Sequence, residues 1–248
     1  MKIYDGELRQ IDEVLIKPNI VSHEGYPTTT HPETLRSILS YLTESGKRCT
    51  VADGPALDAG NSSKIIDTHP LKEVCNEFNI PLINIYSHRM VTRKTPRGFS
   101  LKLSEIAIRS KYTISLPVLK THFQCGISGA LKNQFGYLSR MNRISAHIGL
   151  NNIHKYIAEV NALARPDLFV VDAVQTLLEA QEIRHGGESA PIGQMLAGKD
   201  PVSLDSYGLT LLQQLSHKLS SKTPNAIPHI RLAQEYGVGQ TQYELKYI

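Results

Sequence analysis

Short apolar runs recur along the chain, and each one is followed by polar or turn-forming residues. The runs cover residues 13–16, 49–52, 81–86, 112–119 and 167–171. Their length is that of a buried strand, and the Pro, Gly, Asn and Asp residues beside them are typical of strand boundaries. The pattern therefore predicts five strands in the core of the protein. Residues 192–198, which include two glycines, are expected to form a last strand.

Segments with apolar residues at every third or fourth position lie between and after these strands. In the first such segment, residues 32–44, the apolar stripe consists of Leu35, Ile38, Leu39 and Leu42. Pro32 begins this helix and Gly46 ends it. The other predicted helices are residues 68–78, 103–110, 151–163, 201–216 and the stretch that Gly237 ends. Strands that alternate with helices pair in parallel, so we expect an α/β fold with a doubly wound, mostly parallel sheet and helices on both faces.

Residues 88–103 depart from this rhythm, with short alternating segments on either side of Pro96-Arg97-Gly98. We expect an antiparallel hairpin there, at a sheet edge or as a flap within a single α/β domain that spans residues 1–248. Its basic residues are Arg89, Arg93, Lys94, Arg97 and Lys102. Phe99 is its aromatic residue, which is too little stacking surface to favour nucleic acid. A solvated hairpin and a flap over an anionic ligand remain as alternatives.

Composition and charge narrow the class of protein further. With 248 residues, of which 41% are hydrophobic, the chain can bury a full core, and its net charge of +4 does not by itself imply nucleic acid. Cys49, Cys75 and Cys125 include no CxxC pair, so we expect no disulfide framework and no iron–sulfur cluster within this chain. The apolar runs are strand-sized and the first residues lack a signal pattern, so we expect a cytoplasmic protein with no membrane partner.

Ionisable residues follow four of the predicted strands: Lys17, Asp53, Lys120 with His122, and Asp172. Ligands of open α/β sheets bind beyond the carboxyl ends of the strands, so these groups are predicted to gather at one edge. Lys17, in the K-P-N turn that includes Asn19, either binds an anion or forms a salt bridge with a carboxylate such as Asp53. Asp53 and Asp172 either bind a metal or transfer protons, or they cap the turns that follow them.

The stretch from 116 to 147 concentrates the remaining chemistry, with the sequence LPVLKTHFQCGISGALKNQFGYLSRMNRISAH. Gly126 and Gly129 can bring backbone N–H groups close to a bound group, while Lys132 and Asn133 offer a cation and an amide. The two histidines of the stretch, His122 and His147, suit either metal ligation or proton transfer. Cys125 is either a thiolate nucleophile or a small packing residue.

These residues define the predicted site. The predicted catalytic residues are Lys132, His122 and His147. The residues predicted to bind a substrate are Lys17, Asn19, Lys120, Gly126, Gly129 and Asn133, and those predicted to bind a metal are Asp53 and Asp172. We expect an enzyme that acts on a small anionic molecule bearing a carboxylate or phosphate, with the cofactor unknown and a divalent or transition metal left open. The alternative is a non-catalytic protein that binds a cofactor or docks a separate ferredoxin.

Several motifs together resemble the family known as domain of unknown function 362. They are VLIKPNIV near residue 15, VADGP at 51–55, GISGALKNQFG at 126–136, LFVVDAV at 168–174, GKDPVSLDSYG at 198–208 and EYGVG at 235–239. The resemblance spans nearly the whole chain, and it is most specific in the K-P-N turn and the G-A-L-K-N core. The family has no assigned activity. Many relatives carry a cysteine-rich, ferredoxin-like module that this chain lacks, so the resemblance implies electron transfer here only with a separate ferredoxin.

A more distant likeness is to lactate racemase type enzymes, which use a nickel-pincer nucleotide cofactor. That resemblance implies a lysine that holds the cofactor, and Lys132 is the matching position, with His122 and His147 as the matching histidines. The ALKN sequence around Lys132 differs from the Gly-Gly-x-Lys form expected of such a site.

Overall fold

The computed structural model describes residues 4–148 and 152–248. Its strands are β1 (Glu13–Pro18), β2 (Arg48–Asp53), β3 (Leu82–Asn84), β4 (Met90–Lys94), β5 (Ser100–Ser104), β6 (Thr113–Leu116), β7 (Lys120–His122), β8 (Gly126–Ser128), β9 (Leu168–Leu178) and β10 (Glu188–Gly198). Its helices are α1 (Asp5–Leu8), α2 (Pro32–Glu44), α3 (Ser62–Thr68), α4 (Pro70–Glu77), α5 (Glu105–Arg109), α6 (Ala130–Asn133), α7 (Arg140–His147), α8 (Ile153–Leu163), α9 (Pro201–Gln213) and α10 (Pro228–Glu235).

Six strands form one sheet in the order β10-β9-β6-β1-β2-β3. The five strands from β9 to β3 pair in parallel, and β10 is antiparallel to β9. If these six strands are numbered again in chain order, the sheet has the order 3-2-1-4-5-6 of a doubly wound fold. The order in which strands are added to the sheet reverses between β1 and β6. Lys17 lies at that reversal, opposite Ser115 of β6. The predicted α/β fold is therefore confirmed.

The side chains of β1 show why helices cover both faces of the sheet. Val14 and Ile16 belong to one buried cluster together with Leu39 of α2, whereas Leu15 belongs to a second cluster together with Ile157 of α8. Successive side chains of a strand point to opposite faces, so a continuous apolar run needs an apolar cover on each face. The helices at the start and at the end of the chain supply these two covers.

Helix α2 begins where the sequence predicts. Pro32 occupies the first turn, and the side chain of His31 accepts a hydrogen bond from the backbone N–H of Glu33. The predicted stripe of Leu35, Ile38, Leu39 and Leu42 is buried. The helix expected over 151–163 is α8, whose cap is Asn152; the expected start at 151 lies outside the described residues.

Two of the differences between predicted and observed strand ends affect residues of the predicted site. The run 112–119 is not one strand, because β6 stops before Pro117 and Lys120–His122 pair with Gly126–Ser128 in a separate antiparallel ribbon. Strand β9 does not end at Asp172, because β10 pairs with it as far as Leu178. Asp172 is therefore a mid-strand residue, and the expectation that it ends a strand was wrong.

The antiparallel hairpin predicted near 88–103 is present as β4 and β5. A helix that the sequence analysis did not predict, α7, occupies residues 140–147 and begins at Ser139, whose side chain accepts a hydrogen bond from the N–H of Asn142. Within the described part of the chain, none of the helices combines the length and the apolar character needed to cross a bilayer.

Candidate functional site

A cavity of about 570 Å³ lies at the point where the strand order reverses. It is bounded by the ends of β1 and β2, the β7–β8 ribbon, α6 and α7. Its wall includes eight of the residues predicted to form the site, namely Lys17, Asn19, Asp53, Lys120, His122, Lys132, Asn133 and His147. Three other predicted residues, Gly126, Gly129 and Asp172, are not on this wall. The volume lies within the range of about 300–1,000 Å³ in which proteins bind small molecules.

Lys17 and Asp53 form a buried ion pair at the floor of this cavity. The Lys17 Nζ lies 2.6 Å from Asp53 Oδ1 and also donates to the carbonyl of Pro18 at 2.8 Å. Burial lowers the pKa of Lys17, and the neighbouring Asp53 carboxylate opposes that effect. Of the two roles left open by the sequence, Lys17 therefore has the salt bridge.

Asp53 is also a backbone anchor, which leaves its carboxylate little capacity for a metal. Oδ2 accepts a hydrogen bond from the N–H of Ile20 at 2.6 Å, and Oδ1 accepts one from the N–H of Gly54 at 2.6 Å in addition to the Lys17 ion pair. These bonds tie the loops after β1 and β2 together. The capping role left open for Asp53 is thus observed directly.

The L-K-N-Q-F-G segment packs onto this ion pair. A Cβ atom at Gly136 would lie 2.8 Å from Asp53 Oδ1 and 3.1 Å from Lys17 Nζ, so only glycine leaves enough room there. Asn133 donates from Nδ2 to the carbonyl of Lys17 at 3.2 Å and to Ser115 Oγ at 2.9 Å. The Asn133 side chain thus joins β1 to β6 at the reversal, and its amide is engaged within the fold.

Three cations on the cavity wall have no carboxylate partner within 4 Å in the described parts of the chain: Lys120, Lys132 and Arg143. Lys120 Nζ donates to the carbonyl of Thr28 at 2.6 Å, and burial, reinforced by the charge of Lys132, lowers its pKa to about 7. Burial also lowers the pKa of Lys132, whose Nζ lies 5.4 Å from the centre of the Phe135 ring. The wall therefore carries basic side chains that no carboxylate of the described residues pairs with.

Arg143 was missed by the sequence analysis. Its guanidinium donates from Nη1 to the carbonyls of Gly54 and Pro55, both at 2.9 Å, and lies 5.5 Å from the Phe135 ring centre. It lies on α7, a helix that the sequence analysis did not predict. The signal that could have found it is the cap residue Ser139 followed by a helix-length segment.

His122 is held in one tautomer by its own turn. Its Nδ1 accepts hydrogen bonds from the backbone N–H groups of Gln124 and Cys125, both at 3.2 Å. A neutral imidazole whose Nδ1 accepts must carry its proton on Nε2. Burial, then the charge of Lys132, lowers the pKa of His122, so the ring is a neutral hydrogen-bond donor. It is therefore unsuited to bind a metal or to accept a proton through Nε2.

His147 has the opposite arrangement. Its Nδ1 lies 3.0 Å from Gln124 Oε1, an oxygen that can only accept, so Nδ1 carries the proton and Nε2 keeps a lone pair. Burial, then the charge of Lys132, lowers the pKa of His147, which keeps the ring neutral. Gln124 thus lies between two histidines with complementary roles, one a donor and the other an acceptor.

The two glycines predicted to bind a substrate have other roles. Gly126 has a φ of +80° at the turn into β8. A Cβ atom at Gly129 would collide with Asp205, whose Oδ1 accepts from the N–H of Ala130 at 2.6 Å and whose Oδ2 accepts from that of Leu131 at 3.0 Å. The amides at the start of α6 are therefore bound to Asp205. This carboxyl group, whose pKa burial raises to about 7, is a second residue that the sequence analysis missed, although it lies in the GKDPVSLDSYG motif.

Asp172 lies away from the cavity and is occupied by hydrogen bonds. Its Oδ1 accepts from the hydroxyl of Tyr26 at 2.8 Å and from the N–H of Val174 at 2.9 Å. Thr34 donates to its Oδ2 at 3.4 Å. The structure thus gives no support to a metal site shared by Asp53 and Asp172, because both carboxylates already stabilise the fold.

One group of three side chains in residues 4–148 and 152–248 has metal-ligand spacing: Asp58, Glu182 and His185, whose ligand atoms lie within 4.8 Å of one another. All three line the cavity. Arg184 already bridges the two carboxylates, with Nη2 at 2.8 Å from Asp58 Oδ2 and Nε at 2.7 Å from Glu182 Oε2. A cation bound here would have to compete with this guanidinium, which holds the two carboxylates in an ion-pair network.

The fold and the site together define a doubly wound α/β protein with a cationic, histidine-bearing cavity at the sheet reversal. A family model described as a domain of unknown function, DUF362, matches residues 14–210, and the chain belongs to that family. The matched region contains the Lys17–Asp53 pair, the cationic wall and both histidines. Three of the motifs named above, VLIKPNIV, VADGP and GISGALKNQFG, contribute residues to the cavity wall.

Two kinds of relative accompany this match. The chain is 25% identical, over 242 residues, to the thylakoid-associated protein sll1697 of Synechocystis, covering 95% of this chain and 71% of that protein. The lactate racemase apoprotein from Thermoanaerobacterium thermosaccharolyticum has a TM-score of 0.49 at 14% identity over 76% of this chain. A crystal structure of a Thermotoga maritima protein has a TM-score of 0.47 at 13% identity over 94% of this chain. The chain spans only 46% and 58% of the lengths of these two structures.

Proposed function

We propose that the cavity binds a small molecule bearing a carboxylate or phosphate group, that His147 accepts a proton from that molecule, and that His122 donates a hydrogen bond to it. The observation that carries this proposal is the cationic wall. Lys120 and Lys132 face a cavity of ligand size and have no carboxylate partner in the described residues. Bringing the buried ammonium group of Lys120 and the half-buried one of Lys132 together destabilises the empty protein, and a bound anion would relieve this cost.

The roles follow from the hydrogen bonds. Lys132, with Lys120 behind it, would hold the anionic group. The Nε2 lone pair of His147 would accept a proton from the bound molecule, and Nε2–H of His122 would donate a hydrogen bond to the negative charge that develops. A neutral donor suits this task because it stabilises the charge without giving up its own proton. The reaction class is therefore proton abstraction next to an anionic group.

The nickel-pincer nucleotide considered from the sequence does not fit these residues. Two backbone N–H groups hold the proton of His122 on Nε2, the nitrogen that would have to bind the metal. We therefore derive no step through such a cofactor.

Binding of inorganic phosphate and of acetate, measured by isothermal titration calorimetry, tests the proposal. Lys132→Ala should weaken binding by about tenfold or more, since one charge-assisted contact is worth roughly 1.5–3 kcal/mol. Lys64→Ala, which removes an exposed lysine from α3, is the matched control and should leave binding unchanged. Equal affinity in the wild type and the Lys132 variant would refute the anion site. For turnover, His147→Gln should abolish solvent deuterium exchange into a bound substrate without loss of binding.

A second candidate role concerns the hairpin of β4 and β5. Arg93, Lys94, Arg97 and Lys102 are exposed there and have no carboxylate partner within the described residues, and none of them lines the cavity. An acidic ferredoxin would fit such a surface by charge. If it docks there, its affinity should fall steeply as the ionic strength rises, because exposed charges are screened. An affinity independent of salt would exclude docking at the hairpin.

We further propose that the protein works in the cytoplasm. Its three cysteines are free thiols, and Cys75 and Cys125 are buried, which suits a reducing compartment. Cell fractionation with an antibody to the chain tests this location. Recovery in a membrane or exported fraction would overturn it.

A further inference from the structure

The mouth of the cavity has a different character from its floor. Three large apolar side chains on its wall are exposed, with 73% of Phe123, 42% of Ile144 and 59% of Ile148 open to solvent. Phe123 lies in the turn between β7 and β8, whereas Ile144 lies in α7 and Ile148 directly follows that helix. Large apolar side chains are not normally left in water as a cluster unless something covers them.

These side chains continue the same wall as the cations. Phe123 stacks on the ring of His122, with 5.4 Å between the ring centres, and Ile144 directly follows Arg143 in α7. The apolar mouth and the charged floor therefore belong to one concave surface. A cavity of about 570 Å³ also has room for more than an inorganic anion.

We propose that the anion bound by Lys120 and Lys132 carries an apolar tail, which lies against Phe123, Ile144 and Ile148 at the cavity mouth. This inference rests on the anion site proposed above and extends it to the class of ligand. The ligand would be an amphipathic carboxylate or monophosphate, with its head group at the lysines and its hydrocarbon part toward solvent. An apolar tail would remove the exposed side chains from water, which a purely polar ligand cannot do.

Met141 provides the internal comparison. It lies in the same helix as Ile144 and is 70% exposed, but it is not on the cavity wall. If the exposed apolar residues of α7 served a broad docking surface, Met141 and Ile144 would contribute alike. If they serve a ligand in the cavity, only Ile144 contributes.

The experiment uses the intact chain and two homologous series of probes, n-alkyl monophosphates and n-alkanoates, from methyl to hexyl. Affinities are measured by isothermal titration calorimetry in the wild type, Ile144→Ser, Met141→Ser and Lys132→Ala. In the wild type, affinity should rise about fourfold for each methylene that leaves water. Ile144→Ser should flatten this dependence on chain length and leave the affinity for methyl phosphate within about twofold, whereas Met141→Ser should change neither.

The outcomes separate this inference from the function on which it rests. If methyl phosphate binds through Lys132 but longer tails add no affinity, the apolar tail is refuted and the anion site stands. If longer tails add affinity and Lys132→Ala leaves the affinity for every probe, methyl phosphate included, equal to that of the wild type, the apolar mouth stands and the anion site is refuted. An equal loss in Met141→Ser and Ile144→Ser would show a surface wider than the cavity and would overturn the inference.

Discussion

Replacing Lys120 by methionine should stabilise the folded protein, and by more at pH 6 than at pH 10. The lysine is 1% exposed, its Nζ makes one hydrogen bond to the carbonyl of Thr28, and no carboxylate of the described residues lies within ion-pair distance. Methionine keeps a side chain of similar length without the charge. The carbonyl of Thr28 keeps a partner in this variant, because Asn19 Nδ2 also donates to it at 2.8 Å.

The magnitude follows from the pKa of this group. Burial, with the repulsion of Lys132 added, lowers the pKa of Lys120 from 10.5 to about 7, which corresponds to about 5 kcal/mol of destabilisation when both the folded and the unfolded states are protonated. Losing the hydrogen bond to Thr28 offsets about 1 kcal/mol of the gain. We therefore expect Lys120→Met to raise the free energy of unfolding by roughly 2–4 kcal/mol at pH 6.

The lowered pKa of Lys120 also determines how the stability of the wild type changes with pH. Because the folded-state pKa is below the unfolded-state value, the unfolded chain binds more protons between pH 7 and 10.5, and the wild type gains stability as the pH rises through that window. Below pH 7 the destabilisation is fully present. The advantage of the methionine variant should consequently shrink toward pH 10.

Urea denaturation of the wild type, Lys120→Met and the control Lys64→Met, at about pH 6, 8 and 10, measures this difference. The buffers should be cationic, such as bis-tris, Tris and ethanolamine, so that no buffer anion occupies the cavity. A stability difference that stays constant across this pH range would refute the reasoning, because it would show that Lys120 keeps its ordinary pKa in the folded protein.

Two other predictions concern the floor and the histidine. Lys17→Met should lower the free energy of unfolding by about 3–5 kcal/mol, because it leaves Asp53 buried without its ion pair. The double variant Lys17→Met with Asp53→Asn should recover part of that loss in the same urea assay. Equal losses in both variants would contradict the ion-pair account. His122 should remain neutral and protonated on Nε2 between about pH 5 and 8, as read from its ¹⁵N chemical shifts, and a titration of this ring near its ordinary pKa would contradict the tautomer assigned from the two backbone donors.

Much of the fold could be predicted from local pattern. The run that contains Leu15 is apolar on both faces, so it needed cover on both sides, and the alternation with amphipathic segments left the doubly wound arrangement as the natural outcome. Lys17 and Asp53 were found because each ends a strand just before turn-forming residues. Asp172 was misplaced because the length of β9 depends on its pairing with β10, which a single-strand pattern does not contain.

The rest of the site could not be predicted because its contacts join distant parts of the chain. Arg143 reaches the carbonyl of Gly54 across 89 residues, and Asp205 binds the amide of Ala130 across 75 residues. Neither partner is marked in the local sequence, since any backbone carbonyl or amide could have served. Gly126 and Gly129 were expected to bring backbone N–H groups close to a bound group, and only the structure shows that the Asp205 side chain lies against Gly129.

The sequence by itself determined the chain order of the six strands of the main sheet and the chemical types at the ends of β1 and β2, because hydrophobic periodicity and turn residues act over a few positions. The tertiary structure decided which of those groups form ion pairs or hydrogen bonds within the fold. It paired Lys17 with Asp53 and left Lys120 and Lys132 without a carboxylate partner among residues 4–148 and 152–248. It also gave His122 and His147 opposite tautomers through Gln124 and its neighbours. Burial and hydrogen bonding between distant segments set those states, and they exist only once the chain has folded.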